Sequence, residues 1–513
     1  MEKNKKLIVL GVLALILIIS GITYAILTWT SSKINIGLTS NCFTIDYTKG
    51  NDIANASIKA LNESDLINDN KFTIKEGIAL TYANIGIKST CTIEGYGSLY
   101  LNVTTLSSAF STGNSKGALK YAVLDNTSTT STVTVASLLN QQFNIVSKGS
   151  ITSTGKITLL TKQLSNTKLN KYLIVIYADV SKIANDAMDA SFNGTVSADA
   201  NQGKAPITPE DQLVNLGLSV SSGTPNFTKT SIDDKTNGIY SAKDDLGTSY
   251  YFRGNVTNNY VKFANKYWRI IRINGDGTIR MIYAGTSAHA NGYNDSSTDD
   301  MSIGTSAFNS IYNDNTYVGY MYGTKGASTY EDTHSNTTNS TIKTKLDSWY
   351  DTNIVNTGNE KYIADAIYCN DRSVSSGTGI GTTETTYAAK TRGDNGTPTL
   401  KCPNNNDKFT KSTTIGNGKL TRMIGLITSD EVMYAGGTVS TNTEYYLYSG
   451  TFYWTMAPYS YASDSAGVCG VGDLGDLGSR YVDSPFTVRP VVSLKSDAIS
   501  GGSGTAVSPF LVG

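Results

Sequence analysis

Few residues in this chain carry the chemistry of catalysis. There are five cysteines and two histidines. No two cysteines stand in a C-x-x-C spacing, and His289 and His334 lie in polar, loop-like sequence. Both histidines read as surface residues, so neither a zinc site nor a Ser-His-Asp triad is expected. No catalytic residue, metal or cofactor is assigned, and the chain is not expected to be an enzyme. Cys42 and Cys91 fall in the first half, while Cys369 and Cys402 lie close together in the second. In an oxidising compartment each pair can close a disulfide; otherwise each is a pair of buried thiols. Cys469 is left over.

Three short motifs invite a sharper reading. Gly470-Val471-Gly472-Asp473-Leu474-Gly475 spells G-x-G-x-x-G, but a dinucleotide site needs a helix after it, and no helical pattern follows. Asp473 and Asp476 are candidate cation ligands or, more simply, solvated carboxylates. Asn274 and Asp276 have a calcium-ligand look but lack the remaining ligands, so a turn is the better reading. Arg392-Gly393-Asp394 is an integrin-type tripeptide of a kind that arises by chance. Arg489, next to Pro490, is expected in a structural ion pair.

The stretch with the most to explain is residues 453–494. Tyr453, Trp454 and Met456 anchor one end, and Val488, Val491, Val492 and Leu494 anchor the other. Between them run small, polar and Gly-rich residues without an apolar period, which reads as a long irregular loop.

The elements that must hold these residues follow from composition and pattern. The chain has 513 residues, with 42 basic and 42 acidic side chains. Without a basic field, no nucleic-acid partner is expected. Abundant Ser, Thr, Asn, Gly and Tyr fit β-rich domains with polar loops. Lys3, Lys5 and Lys6 precede an apolar run over 7–27, long enough to span a bilayer with the rest of the chain outside. Small residues at 23 and 25 equally suit cleavage after Ala25, so 1–30 is a signal peptide or a transmembrane anchor. The expected location is the extracellular face of the cell membrane or the secreted fraction.

Residues 34–200 hold strand-like runs at 71–87, 98–106, 171–180 and 190–200, the pattern of an all-β sandwich. Residues 201–230 contain three of the nine prolines and read as a linker with at most one helical turn. Residues 231–513 mix strands and helices. Asn274-Gly275-Asp276-Gly277 marks a hairpin. Ser340 caps a helix over 340–355, and a second short helix is expected over 360–368. A long loop region then covers 370–418, and a buried strand covers 422–427. Thr428 to Glu431 is a capping box opening a helix that stops at Gly436-Gly437. Strands are expected near 445–448, 452–455 and 488–494.

The order of a basic N-terminus, an apolar span, a sandwich and the closing cadence SFNGTVSADANQ (191–202) resembles the camelysin-like exported family. The sequence lacks the H-E-x-x-H that a protease of that family would need. The segments NKYWRIIRINGDGTIRMIY (265–283), IGLITSDEVMYAGG (424–437), YYLYSGTFYWTMAPY (445–459) and VRPVVSLKSD (488–497) resemble the C-type-lectin-like fold in its formylglycine-generating variety. That resemblance implies an α+β scaffold with the 459–484 segment on an exposed binding face. Tyr459, Tyr461, Asp464, Asp473, Asp476, Arg480 and Tyr481 are the candidate ligand contacts, for a protein or glycan outside the cell. Some members of the fold are targets of diversity-generating retroelements; the absence of Lys, Glu, Gln, Met and Trp from 459–484 fits such a segment, but ordinary loop composition is the simpler reading of so short a stretch. Two other functions remain in view: a structural fibre or coat subunit, and a formylglycine-generating-type oxidase using Cys469.

Overall fold

The computed structural model describes residues 42–46, 58–126, 134–188, 190–202, 205, 207–228, 237–289 and 299–513. The expected signal or anchor over 1–30 lies outside them. The chain divides between Ala205 and Pro206 into two units, and both are rich in β-sheet. Among the described residues no helix is long and apolar enough to cross a membrane.

In the first unit, alternating and β-branched runs form long strands. One sheet orders Phe43–Asp46, Ala79–Ile87, Asn170–Asp179, Leu119–Asp125, Gln142–Ser150, Lys71–Thr73 and Ile67–Asn68, with Ala60–Leu61 added in parallel to Asn170–Asp179. A second sheet sets Gly95–Leu106 between Phe192–Gln202 and Gly155–Leu164. Ile85, Ile174 and Val123 from the first sheet share a core with Leu99, Leu101 and Val196 from the second. Strand Asn170–Asp179 is central and nearly all buried, which is why its sequence runs Tyr-Leu-Ile-Val-Ile-Tyr without alternation. Cys42 and Cys91 are bonded to each other.

The second unit begins earlier than the sequence indicates. Residues 209–215 form a helix of two turns, with Pro209 at its start and Thr208 as its cap. Leu213 and Leu216 enter the unit's core, so this part of the expected linker is an integral element. One sheet contains Gly238–Lys243, Thr248–Arg253, Lys266–Ile273, Tyr260–Phe263, Phe510–Val512 and Ile499–Gly501. Ile279–Gly285 joins it between Lys266–Ile273 and Val491–Leu494. The hairpin closes over Asn274 to Gly277 as its turn chemistry requires, Asn274 N–H donating to Thr278 O at 2.8 Å. The other sheet is built on Tyr453–Ala462, flanked by Thr385–Tyr387 and Ser465–Val471.

Several local expectations change under tertiary packing. The helix at Thr341–Tyr350 is capped by Ser340 and runs on through a wider turn to Val355. Residues 360–368 give only a 3-10 turn at Glu360–Tyr362, after which the chain extends into the strand Tyr368–Cys369. Residues 370–418 contain strands Val374–Ser376 and Thr385–Tyr387 and the helix Ala388–Asn395. Met423 to Ile427 are buried but pair with a neighbour only at Gly425 and Val491, so burial there comes without a ladder. Residues 445–448 form a turn rather than a strand. The strand expected over 488–494 begins at Val491, after Pro490, which has no N–H to donate.

The capping box at Thr428 and Glu431 is present in both directions, and the helix Ser429–Ala435 stops at Gly436 in the left-handed conformation. Replacing Thr428 with Ala removes the acceptor of the Glu431 N–H. It should cost about 1 kcal/mol of stability, read as a lower denaturation midpoint with an unchanged slope.

Candidate functional site

The residues singled out at 459–484 lie in an ordered three-stranded meander. Tyr453–Ala462 pairs with Ser465–Val471, which pairs with Leu477–Tyr481. The first turn is a tight one at Ser463 and Asp464, both with positive φ (51° and 59°), the geometry that twists with a hairpin. The second turn consumes the G-x-G-x-x-G motif. Gly472 N–H donates to Asp476 O at 2.7 Å and Gly475 N–H to Gly472 O at 3.0 Å. Gly475 has φ +78°, and a Cβ there would lie 1.9 Å from Asn442 O. Strand, turn, strand is the wrong order for a dinucleotide site; these glycines serve a turn. The expected irregular loop is therefore corrected to a sheet. Small residues hid its alternation because Gly467, Gly470 and Gly472 sit under neighbouring side chains and cannot carry a Cβ without contacts below 3 Å.

The candidate contacts separate by exposure. Tyr461 is 1% exposed and packs into the core, so it presents no surface to a ligand. Tyr459 is half-buried under the helix Ala388–Asn395, with Lys390 Nζ 5.4 Å from its ring, and burial pushes its phenol up to about 12. Asp464 and Asp473 are exposed at the two turns. Asp476 pairs with Arg480 at 3.2 Å. Tyr481 is 56% exposed. Arg480 and Tyr481, with Ser460, Ser465, Ser479 and Ser484, line a shallow depression of about 410 Å³. Cross-strand register explains the grouping: Ser460, Gly467 and Tyr481 stand opposite one another on three adjacent strands. Gly467 lets Ser479 lie close above it, its hydroxyl 2.5 Å from where a Cβ would stand.

A second, more enclosed pocket is lined by charge. Asp244 accepts from Arg272 at 2.8 Å, and Glu431 lies 2.9 Å from Arg272 and 2.6 Å from Arg280. Burial opposes ionisation of Glu431, yet the two guanidinium groups outweigh it and hold its carboxyl below the usual range. Arg392 forks onto Asp430 at 2.7 and 2.8 Å and reaches Asp371 at 2.8 Å. The Cys369–Cys402 disulfide forms part of the wall. Only about 40 Å³ remains open, room for a few water molecules at most. The pocket is filled by its own ion pairs and positions strands rather than a ligand. It also decides the Arg392-Gly393-Asp394 motif: the tripeptide is helical, Gly393 is buried, and Arg392 is already committed.

Sequence reasoning missed this cluster because its members are spread from residue 244 to residue 431. The one local signal was Glu431 within the capping box. The histidines also differ from expectation. His334 is fully buried with Nε2 3.0 Å from Gly379 O, and burial pulls it down to about 3. His289 is half-buried against Asp300. Among the described residues Arg489 makes no ion pair with a carboxylate; it is buried, donates to Tyr283 O and Leu447 O, and lies 4.9 Å from the Tyr453 ring. Asn274 and Asp276 hold Thr278 within the turn. Among the described residues no three His, Cys, Asp or Glu side chains converge to hold a metal.

Two outcomes follow from the buried charges. Glu431→Gln leaves Arg272 and Arg280 facing a neutral amide and should cost about 3–5 kcal/mol near neutral pH, measured by chemical denaturation. The folded pKa of Glu431 is depressed, so its contribution is full above the ordinary glutamate range and is lost as pH falls through the folded value. The gap between wild type and variant should therefore narrow in acid. Cys469 is 2% exposed and burial pushes its thiol up to about 12. It should resist alkylation in the native protein and react only on unfolding.

No protein-family model, no curated protein and no solved structure matches this chain.

Proposed function

We propose that this is an exported, membrane-tethered or secreted surface protein whose second unit is a binding head. The first unit is read as a camelysin-like β-sandwich acting as stalk or assembly module. The second is read as a C-type-lectin-like scaffold of the formylglycine-generating variety. The observation that carries the reading is the open depression on the meander, where hydroxyls from all three strands, from Ser463 in the first turn and from Ser484 lie around Tyr481 and Arg480. Serine hydroxyls adapt their hydrogen bonding, and tyrosine offers area at low entropic cost, as in paratopes. The ligand is a protein or glycan met outside the cell, bound without a cofactor. The two disulfides fit the oxidising compartment this requires. If the segment is diversified by a retroelement, the exposed Ser479 and Tyr481 are positions where change leaves the fold intact.

Catalysis by a cysteine pair has little support. Cys369 and Cys402 are bonded to each other, and Cys469 is buried without a cysteine partner. A fibre or coat subunit is the second reading, favoured by one observation: Phe192–Gln202 and Gly155–Leu164 are the outer strands of a three-stranded sheet, long edges suited to strand addition. Ordered filaments of purified protein by electron microscopy, formed without any ligand, would favour it.

The binding reading is tested on a glycan and protein array probed with the exported chain. A hit should lose at least tenfold in affinity in Ser479→Lys and Tyr481→Ala, both at exposed positions, with unchanged melting. A hit insensitive to both changes would place binding elsewhere.

A further inference from the structure

The first unit holds a buried lysine that the proposed function does not use. Lys120 lies on Leu119–Asp125, and Asp179 ends the neighbouring strand Asn170–Asp179. Tyr177 stands opposite Lys120 in the register, which brings Asp179, two residues on, to the same face. Lys120 Nζ is 2.8 Å from Asp179 Oδ2 and 2.5 Å from Glu63 Oε2. Lys120 is 8% exposed and Asp179 2%. The other oxygens are held as well: Tyr177 donates to Glu63 Oε1 at 2.7 Å, and Ser181 donates to Asp179 Oδ1 through its N–H at 3.1 Å and its hydroxyl at 2.7 Å.

We propose that Lys120 and Asp179 condense into an intramolecular isopeptide bond, with Glu63 as the proton carrier. The constellation supplies each part of an acyl transfer. Lys120 is the nucleophile, Asp179 the acyl group and Glu63 a carboxylate touching the amine. The two Ser181 donors lie where negative charge develops on Oδ1. Glu63 takes a proton from the ammonium and passes it to Asp179 Oδ2, the free amine attacks Cγ of the neutral acid, and Oδ1 carries the charge of the tetrahedral intermediate. Glu63, a carboxylate again, takes the second proton from nitrogen and gives it to Oδ2, which leaves as water as Oδ1 returns to a carbonyl. One C–N bond forms and one C–O bond breaks. An ammonium and a carboxylate become an amide and water, Glu63 returns to its carboxylate, and no oxidant or activating group is needed.

The driving force is electrostatic. Before reaction one cation and two anions share a poorly solvated site; afterwards one carboxylate remains, accepting from the new amide N–H. Removing a buried ion pair relieves its desolvation cost. The ion pair is the reactant state. Burial lowers Lys120, but its hydrogen bonds to Asp179 and Glu63 hold it above the usual lysine range, so a proton acceptor in contact with the amine is required. Asp179 rather than Glu63 is the acyl group because its strand is central and fixed. The Glu63 side chain is 33% exposed against 3% for Asp179, and only Asp179 has the two-donor cradle.

The test is peptide mapping by mass spectrometry of the full chain, reduced and denatured. The peptides containing Lys120 and Asp179 should be recovered as one branched species lighter by one water. Glu63→Gln should abolish most of this species while leaving far-UV circular dichroism unchanged. Recovery of Lys120 and Asp179 in two separate linear peptides overturns the proposal. A branch joining Lys120 to Glu63 overturns the assignment of the acyl group. Undiminished cross-linking in Glu63→Gln overturns the role of Glu63. Because the wild-type reading stands alone, it decides the matter even if a variant fails to fold.

Discussion

The second unit depends on one buried carboxylate. Glu431 reaches back to the Thr428 N–H at 3.0 Å and so starts its own helix, while the same group holds Arg272 and Arg280 from two adjacent strands. A buried carboxylate is expensive unless its lone pairs are filled. Here a backbone donor and two guanidinium groups fill them. The helix Ser429–Ala435, the strand Lys266–Ile273 and the strand Ile279–Gly285 are thereby fixed at a common point. Arg272 extends the network to Asp244, whose other oxygen receives Leu246 N–H and Gly247 N–H. A local capping signal thus becomes the junction of a helix, a sheet and a turn.

That rigidity reaches the proposed binding face through packing. Asp430, the neighbour of Glu431, grips Arg392 on the helix Ala388–Asn395, and the same helix covers Tyr459 through Lys390. On the other side of Tyr453–Ala462, Trp454 is fully buried, donates to Ser306 O at 2.8 Å and meets Phe308 edge-on. The first strand of the meander is held at Trp454 and Tyr459, while Ser463, Asp464, Asp473 and Leu474 in the turns stay exposed. Adaptable side chains on a fixed backbone lower the entropy lost on binding.

Much of this was legible locally. The Asn274 to Gly277 hairpin, the Ser340 cap, the Thr428 capping box and the Gly436 stop each depend on contacts within a few residues, and each forms where the sequence places it. The long strands of the first unit were visible because alternating or β-branched runs have few other uses. The meander was not legible, since its pattern is carried by Gly467, Gly470 and Gly472, which show no polarity to alternate. Residues 360–368 carry helical spacing but extend, because Ile363, Ala364 and Tyr368 gain more by packing in the core than a short isolated helix gains from its own hydrogen bonds. Arg489 and His334 were misjudged for a related reason: burial of a charge or an imidazole is decided by partners distant in the chain.

What the sequence by itself determined is the β-rich character, the cysteine pairs available for bonding and the helix caps. These rest on composition and on interactions between near neighbours. Only the tertiary structure decided that Cys42 meets Cys91 and Cys369 meets Cys402, that Tyr461 turns inward while Tyr481 turns outward, and that Lys120, Glu63 and Asp179 converge. Each of these is a contact across many residues, set by strand register and by the cost of leaving charge or polar surface unpaired in the core.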